Sequence, residues 1–162
     1  IGVKKIYSKL DLIPYKKKEE LYLFQQYIEG TEYTVDCYVD LNGNPISIVP
    51  RIRHQTRAGE ITQGEIDMDP LVIKLALKVL QSSHFFGPIT IQFIKNTKDE
   101  VFLIEVNPRF GGGAPMSIMA GANTPLFILK EFLGYPIKFN ADKIKKTKYS
   151  RYETSIEAHD FD

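Results

Sequence analysis

The stretch Ile89-Thr90-Ile91-Gln92-Phe93-Ile94-Lys95, then Asn96 to Glu100, then Val101-Phe102-Leu103-Ile104-Glu105-Val106-Asn107 reads as two strands about one turn. β-Branched and aromatic residues fill both arms, and Gly87-Pro88 marks where the first arm begins. A loop of about four residues, Thr97 to Glu100, is a common hairpin length and pairs Asn96 with Val101. Counting back along both arms sets Ile94 against Leu103 and Gln92 against Glu105, with Cβ atoms about 5 Å apart on one face. Asn107 lies two residues past Glu105 and so shares that face.

Upstream, Tyr22 to Ile28 is apolar and aromatic, and Gly30 breaks it. Tyr33, Val35, Cys37 and Val39 then alternate with Thr34, Asp36, Tyr38 and Asp40, the pattern of a half-buried strand. Asn42-Gly43-Asn44-Pro45 is a turn, and Ile46 to Arg53 returns antiparallel to the first strand. The polar run His54 to Glu65 reads as a loop or short strands. Asp69-Pro70 starts a helix whose Leu71, Val72, Leu75, Ala76, Val79 and Leu80 form one apolar stripe. Ala114 to Ala120 and Pro125 to Leu133 read as two further helices stopped by Gly121 and Gly134, and a last strand is expected near Tyr152 to Ala158. Hairpins with helices between and after them make an α+β fold with a mostly antiparallel sheet flanked by helices.

With 162 residues, 43% hydrophobic and 25% charged, the chain has the composition of a soluble globular domain. A net charge of +1 gives no global attraction to nucleic acid or membrane, although Lys4 to Lys18 and Lys143 to Arg151 are locally basic. No apolar run approaches the roughly 20 residues that span a bilayer. The single cysteine, Cys37, forms no internal disulfide and suits a reducing cytoplasm. The opening Ile1-Gly2-Val3 reads as the interior of a longer chain.

The chemistry concentrates where the second hairpin ends. Gln92, Glu105 and Asn107 bring three oxygen-bearing side chains together among Phe93, Ile104 and Val106. A carboxylate buried there without a partner is disfavoured, and a cation resolves it. Mg²⁺ suits such a site, since it uses one or two carboxylates completed by water and phosphate. Pro108 biases Asn107 toward extended backbone. Arg109, the glycines Gly111 to Gly113 and a helix start at Ala114 together favour an anion. His54 and His84 carry no pattern for metal or nucleophilic chemistry.

These residues resemble the ATP-grasp superfamily, in particular the ligase domains of the carbamoyl-phosphate synthetase large subunit and biotin carboxylase. The similarity runs from about Phe24 to Leu133 and is sharpest at Glu105-Val106-Asn107-Pro108-Arg109. It implies that Glu105, Asn107 and Gln92 ligate the metal on the ATP phosphates, and that Arg109 handles the substrate anion or acyl phosphate. Phe24 to Glu32 resembles the strand that recognises adenine, implying backbone contacts from Gln26 and Ile28, a side-chain contact from Gln25 and a ribose contact from Glu32. Gln25 departs from the acid more common there. Arg51, Arg53 and Arg57 resemble a loop of carbamoyl-phosphate-synthetase-like proteins, either facing phosphate or carboxylate or standing on the surface.

The resemblance divides the chain into residues 1–22, the tail of a preceding subdomain or a linker; 23–134, the C-terminal ATP-grasp subdomain; and 135–162, a C-terminal extension. It implies a fragment of an ATP- and Mg²⁺-dependent carboxylate–amine or carbamoyl-phosphate-synthetase-like ligase working through an acyl phosphate, with Mn²⁺ as an alternative metal. Its expected partners are a carboxylate or bicarbonate, an amine and the N-terminal part of the same chain; membrane and nucleic acid are not expected, and homo-oligomerisation is left open. The isolated fragment is expected to be inactive. The alternatives are a non-catalytic nucleotide-binding module that regulates a partner, and a nucleic-acid-binding domain that uses the lysine-rich ends.

Overall fold

The computed structural model describes residues 3–16, 21–57 and 59–152. Its elements are β1 (Thr31–Val39), β2 (Pro45–Arg57), β3 (Glu60–Ile66), α1 (Pro70–Gln81), β4 (Gly87–Lys95), β5 (Val101–Asn107), α2 (Ala114–Ala120), α3 (Thr124–Phe132) and β6 (Lys148–Ser150). The strands form one sheet in the order β5-β4-β1-β2-β3-β6, antiparallel at every step. The expected α+β class with a mostly antiparallel sheet is therefore the observed one.

Alternation along β1 gives the sheet two different faces. Tyr33, Val35, Cys37 and Val39 join Ile89, Ile91 and Phe93 of β4 under Val72, Ala76 and Leu80 of α1, making the main core. Each of the Val, Leu, Ile and Phe side chains among them contributes roughly 1.5–3 kcal/mol of transfer free energy. Helix α1 starts where the sequence says: the Asp69 carboxylate accepts from the Leu71 and Val72 amides at 2.8 and 3.1 Å. Lys95 Nζ donates to the same carboxylate at 2.6 Å and so ties the helix start to the end of β4.

The opposite face is covered only in part. Tyr38 packs on Phe127 of α3 and donates its hydroxyl to Glu131 at 2.6 Å. Val49 and Ile66 lie under Ala120, Ala122 and Ile144 in a second, smaller core. Between these two contacts, the glycine turn after β5 and the start of α2 lie over Asp36, Arg51 and Thr90.

The structure corrects several expectations. Of the two readings of residues 54–65, a loop or short strands, the strands are the observed one: the outer arm of β2 and most of β3, a hairpin turning at Gly59, whose φ is +83°. Much of its outer arm is exposed and polar on both sides, so it lacks the apolar alternation that marks a strand. The segment from Phe24 to Ile28 is irregular chain, because strand pairing begins only at Thr31. The final strand lies earlier than expected, at Lys148–Ser150 against β3, and Tyr152 is outside it. The rest of the strand expected to Ala158 lies outside the described residues.

Candidate functional site

Cross-strand register assembles the site on this second face. Arg51 of β2 stands opposite Thr34 of β1, Thr34 opposite Gln92 of β4, and Gln92 opposite Glu105 of β5. The next row runs Val49, Asp36, Thr90, Asn107. The expected pairing of Gln92 with Glu105 is thus observed, with Asn107 two residues beyond on the same face. Nearer the turn the expected pairs are displaced by one: Ile94 meets Phe102 and Lys95 meets Val101. Asn96 belongs to the turn, its Oδ1 accepting from the Lys98 and Glu100 amides at 2.9 Å each. An extra residue in β5, Ile104, forms a bulge that restores the register before Glu105.

Burial is not what makes Glu105 a ligand candidate, contrary to the sequence argument, because Glu105 is exposed and Asn107 and Gln92 are half-buried. Instead Asn107 Nδ2 donates to Glu105 Oε1 at 2.8 Å and fixes the carboxylate beside Gln92. Among the described residues no three His, Cys, Asp or Glu side chains cluster as a metal cage. One carboxylate with two amides is an incomplete hard-oxygen shell, which fits Mg²⁺ shared with phosphate and water better than a closed structural site.

The turn after β5 rests on the same face. Thr90 Oγ1 donates to the Arg109 carbonyl at 2.9 Å, and a Cβ on Gly111 would stand 3.0 Å from Thr90 Oγ1. A Cβ on Gly113 would collide with the Arg51 guanidinium. Gly113 is therefore needed for close approach, and Gly111 fits tightly against Thr90. The helix start expected to receive an anion offers less: α2 has seven residues, and its Ala114 amide donates to Gly111 O at 3.0 Å. Anion-binding capacity lies instead in arginines. A cavity of about 160 Å³ is lined by Arg51, Arg53 and Arg109 with Thr34, Thr90, Gln92, Asn107 and the three glycines.

Several parts of this arrangement are legible only in three dimensions. Asp36 Oδ2 accepts from Arg51 Nε at 2.8 Å and from Ser117 Oγ of α2 at 2.6 Å, joining β1, β2 and α2 under the glycine turn. Arg151, just past β6, donates to Gly112 O at 3.0 Å. The only signal for Asp36 in the sequence is a carboxylate on the non-core face of a central strand. Arg51 is buried rather than a surface cation, Arg53 is half-buried, and Arg57 is exposed. Of the residues expected to meet nucleotide, Gln25 and Gln26 are exposed and Ile28 is half-buried in the irregular segment before β1. Glu32 is the second residue of β1, its side chain 56% exposed and 3.5 Å from Arg53 Nη1.

A family model described as "ATP-grasp in the biosynthetic pathway with Ter operon" matches residues 18–155. No curated protein matches the chain. Among solved structures, the chain is similar to the biotin carboxylase domain dimer of Hydrogenobacter thermophilus 2-oxoglutarate carboxylase, in complex with MgADP, ADP and bicarbonate. There the TM-score is 0.60 at 19% identity, over 75% of this chain and 29% of that one. It is similar to Campylobacter jejuni biotin carboxylase in a β-γ-ATP complex, with TM-score 0.60, 20% identity, and 75% and 29% covered. It is also similar to Staphylococcus aureus N5-carboxyaminoimidazole synthetase complexed with ADP, with TM-score 0.57, 21% identity, and 74% and 34% covered. At these identities the likeness is one of fold, and the chain spans about a third or less of the length of these structures. No helix among the described residues is long and apolar enough to cross a membrane.

Proposed function

This chain belongs to the ATP-grasp family, and on that premise we propose that it carries the Mg·ATP face of a ligase that activates a carboxylate or bicarbonate for attack by an amine. The observation that carries this reading is the register that sets Gln92 opposite Glu105, with Asn107 on the same face beside an arginine-lined cavity. Glu105 and the amide oxygens of Gln92 and Asn107 would hold the metal. Asn107 must turn its amide over, presenting Oδ1 where Nδ2 now meets Glu105. When bound, Mg²⁺ neutralises charge on the transferring phosphates. Arg109, exposed at the cavity rim, stabilises the anion that forms there.

In the proposed reaction a carboxylate oxygen attacks the γ-phosphorus of ATP, the bond to the β,γ-bridging oxygen breaks, and ADP leaves with that electron pair. The amine then attacks the acyl carbon of the acyl phosphate and inorganic phosphate departs, so the protein contributes position and charge rather than a covalent bond. On this reading Glu32 at the start of β1 would meet ribose, and the segment around Gln25, Gln26 and Ile28 would meet adenine. Residues 23–134 would then be the C-terminal subdomain of the nucleotide cleft.

Carboxylate-dependent ADP release by the full-length protein tests this. Release that rises with a carboxylate and an amine supports the ligase. Tight nucleotide binding with no carboxylate-dependent release would instead support a regulatory nucleotide-binding module.

A further inference from the structure

Two arginines, Arg51 and Arg53, line the β2 side of the cavity. Arg51 is 2% exposed, yet among the described residues its only polar partner is Asp36, bound through Nε at 2.8 Å. Its two Nη groups lie under Gly113 at the cavity wall without a protein acceptor. The Nη donors that Asp36 leaves free face the cavity, where a ligand or water accepts from them. Arg53 stands two residues on, on the same face and lining the same cavity. Its Nη2 donates to Gly59 O at 3.0 Å, and its Nη1 lies 3.5 Å from the solvent-facing Glu32. Among the described residues, no Asp or Glu lines the cavity.

Position separates these two arginines from the metal face. Arg51 sits two strands away from Gln92, a lateral distance of about 9–10 Å, with Thr34 between them. Arg109 and Asn107 occupy the β5 side of the cavity, whereas Arg51 and Arg53 occupy the β2 side. A planar fork of free N–H groups matches a carboxylate in two-pronged fashion.

Resting on the ligase reading, we infer that Arg51 and Arg53 form a second anion subsite, and that the acceptor is a small dicarboxylate. One carboxylate is activated beside Arg109, and the other is held by Arg51 and Arg53. Bicarbonate, which has no second anionic group, would leave this subsite without a partner.

The test is titration calorimetry on the full-length protein with Mg²⁺ and a non-hydrolysable ATP analogue, using malonate, succinate and glutarate, each against its monoamide. At least one dicarboxylate should bind about tenfold or more tighter than its monoamide. That preference should vanish in Arg53→Gln, which removes a half-buried charge, and in Arg51→Lys, which keeps a cation beside Asp36 but lacks the fork. Equal binding of every acid and its amide would overturn the subsite, as would a preference undiminished in both variants with native melting temperatures. ADP release measured alongside keeps the two readings apart. A dicarboxylate preference without ADP release supports the subsite and counts against the ligase, while ADP release without the preference does the reverse.

Discussion

Arg51 occupies the space that a side chain on Gly113 would need: a Cβ there would stand 2.6 Å from Nη2. A guanidinium at the end of a long side chain ordinarily moves aside at little cost. This one is pinned by Asp36, which Ser117 holds in turn. Gly113→Ala should therefore either break the Asp36–Arg51 pair or lift the glycine turn, costing about 1–3 kcal/mol. Urea denaturation measures it, and a variant as stable as the parent would show that Arg51 is not held as described.

Gly30 makes a comparable prediction with a different obstacle. A Cβ there would collide with the carbonyl of Lys95, its neighbour's partner across β1 and β4. Backbone cannot swing away, so Gly30→Ala should cost about 1–3 kcal/mol in a thermal or urea melt. A Gly43→Ala change, where nothing lies within 4 Å of the added carbon, should show only the strain of its φ of +82°.

The contrast between these glycines marks how far sequence reasoning reaches. Turn length, period-two alternation and a capping Asp are local signals, and they located β1, β4, β5 and α1 and paired Gln92 with Glu105. The same count misplaced Ile94 and Asn96, because a bulge at Ile104 and the folding of the Asn96 amide into the turn shift one end of the ladder and leave the other unmoved. The three-residue strand β6 at the sheet edge carries no periodic signal. The Asp36–Arg51–Ser117 contact joins residues up to 81 positions apart, and no spacing rule announces it. Arg51 was visible as a cation in the sequence, but its burial was not.

Asp69 gives the fold a specific acid sensitivity. Burial works to raise its pKa, but the Lys95 ammonium and the Val72 and Leu71 amides outweigh burial and hold it below the ordinary value of 3.8. Because the folded value is the lower one, its contribution is fully present above the unfolded value and is lost as pH falls through the folded one. Asp69→Asn keeps a competent helix cap but loses the charge facing Lys95. It should cost about 1–2 kcal/mol at neutral pH, and the gap from the parent should close as pH falls below the ordinary carboxylate value. Urea midpoints across that range check it; a pH-independent gap would contradict the assignment.

The most direct test of the metal–nucleotide face is steady-state ADP formation by the full-length protein carrying Glu105→Gln or Asn107→Ala, with melting temperatures measured in parallel. Both residues sit at the end of a strand and neither belongs to the core, so the fold should survive each change. Loss of a charge-bearing ligand in the transition state should lower turnover by about a hundredfold or more. ADP formation abolished at native melting temperature is the predicted result; turnover like that of the parent in either variant would contradict the assignment of Glu105 and Asn107 to the metal.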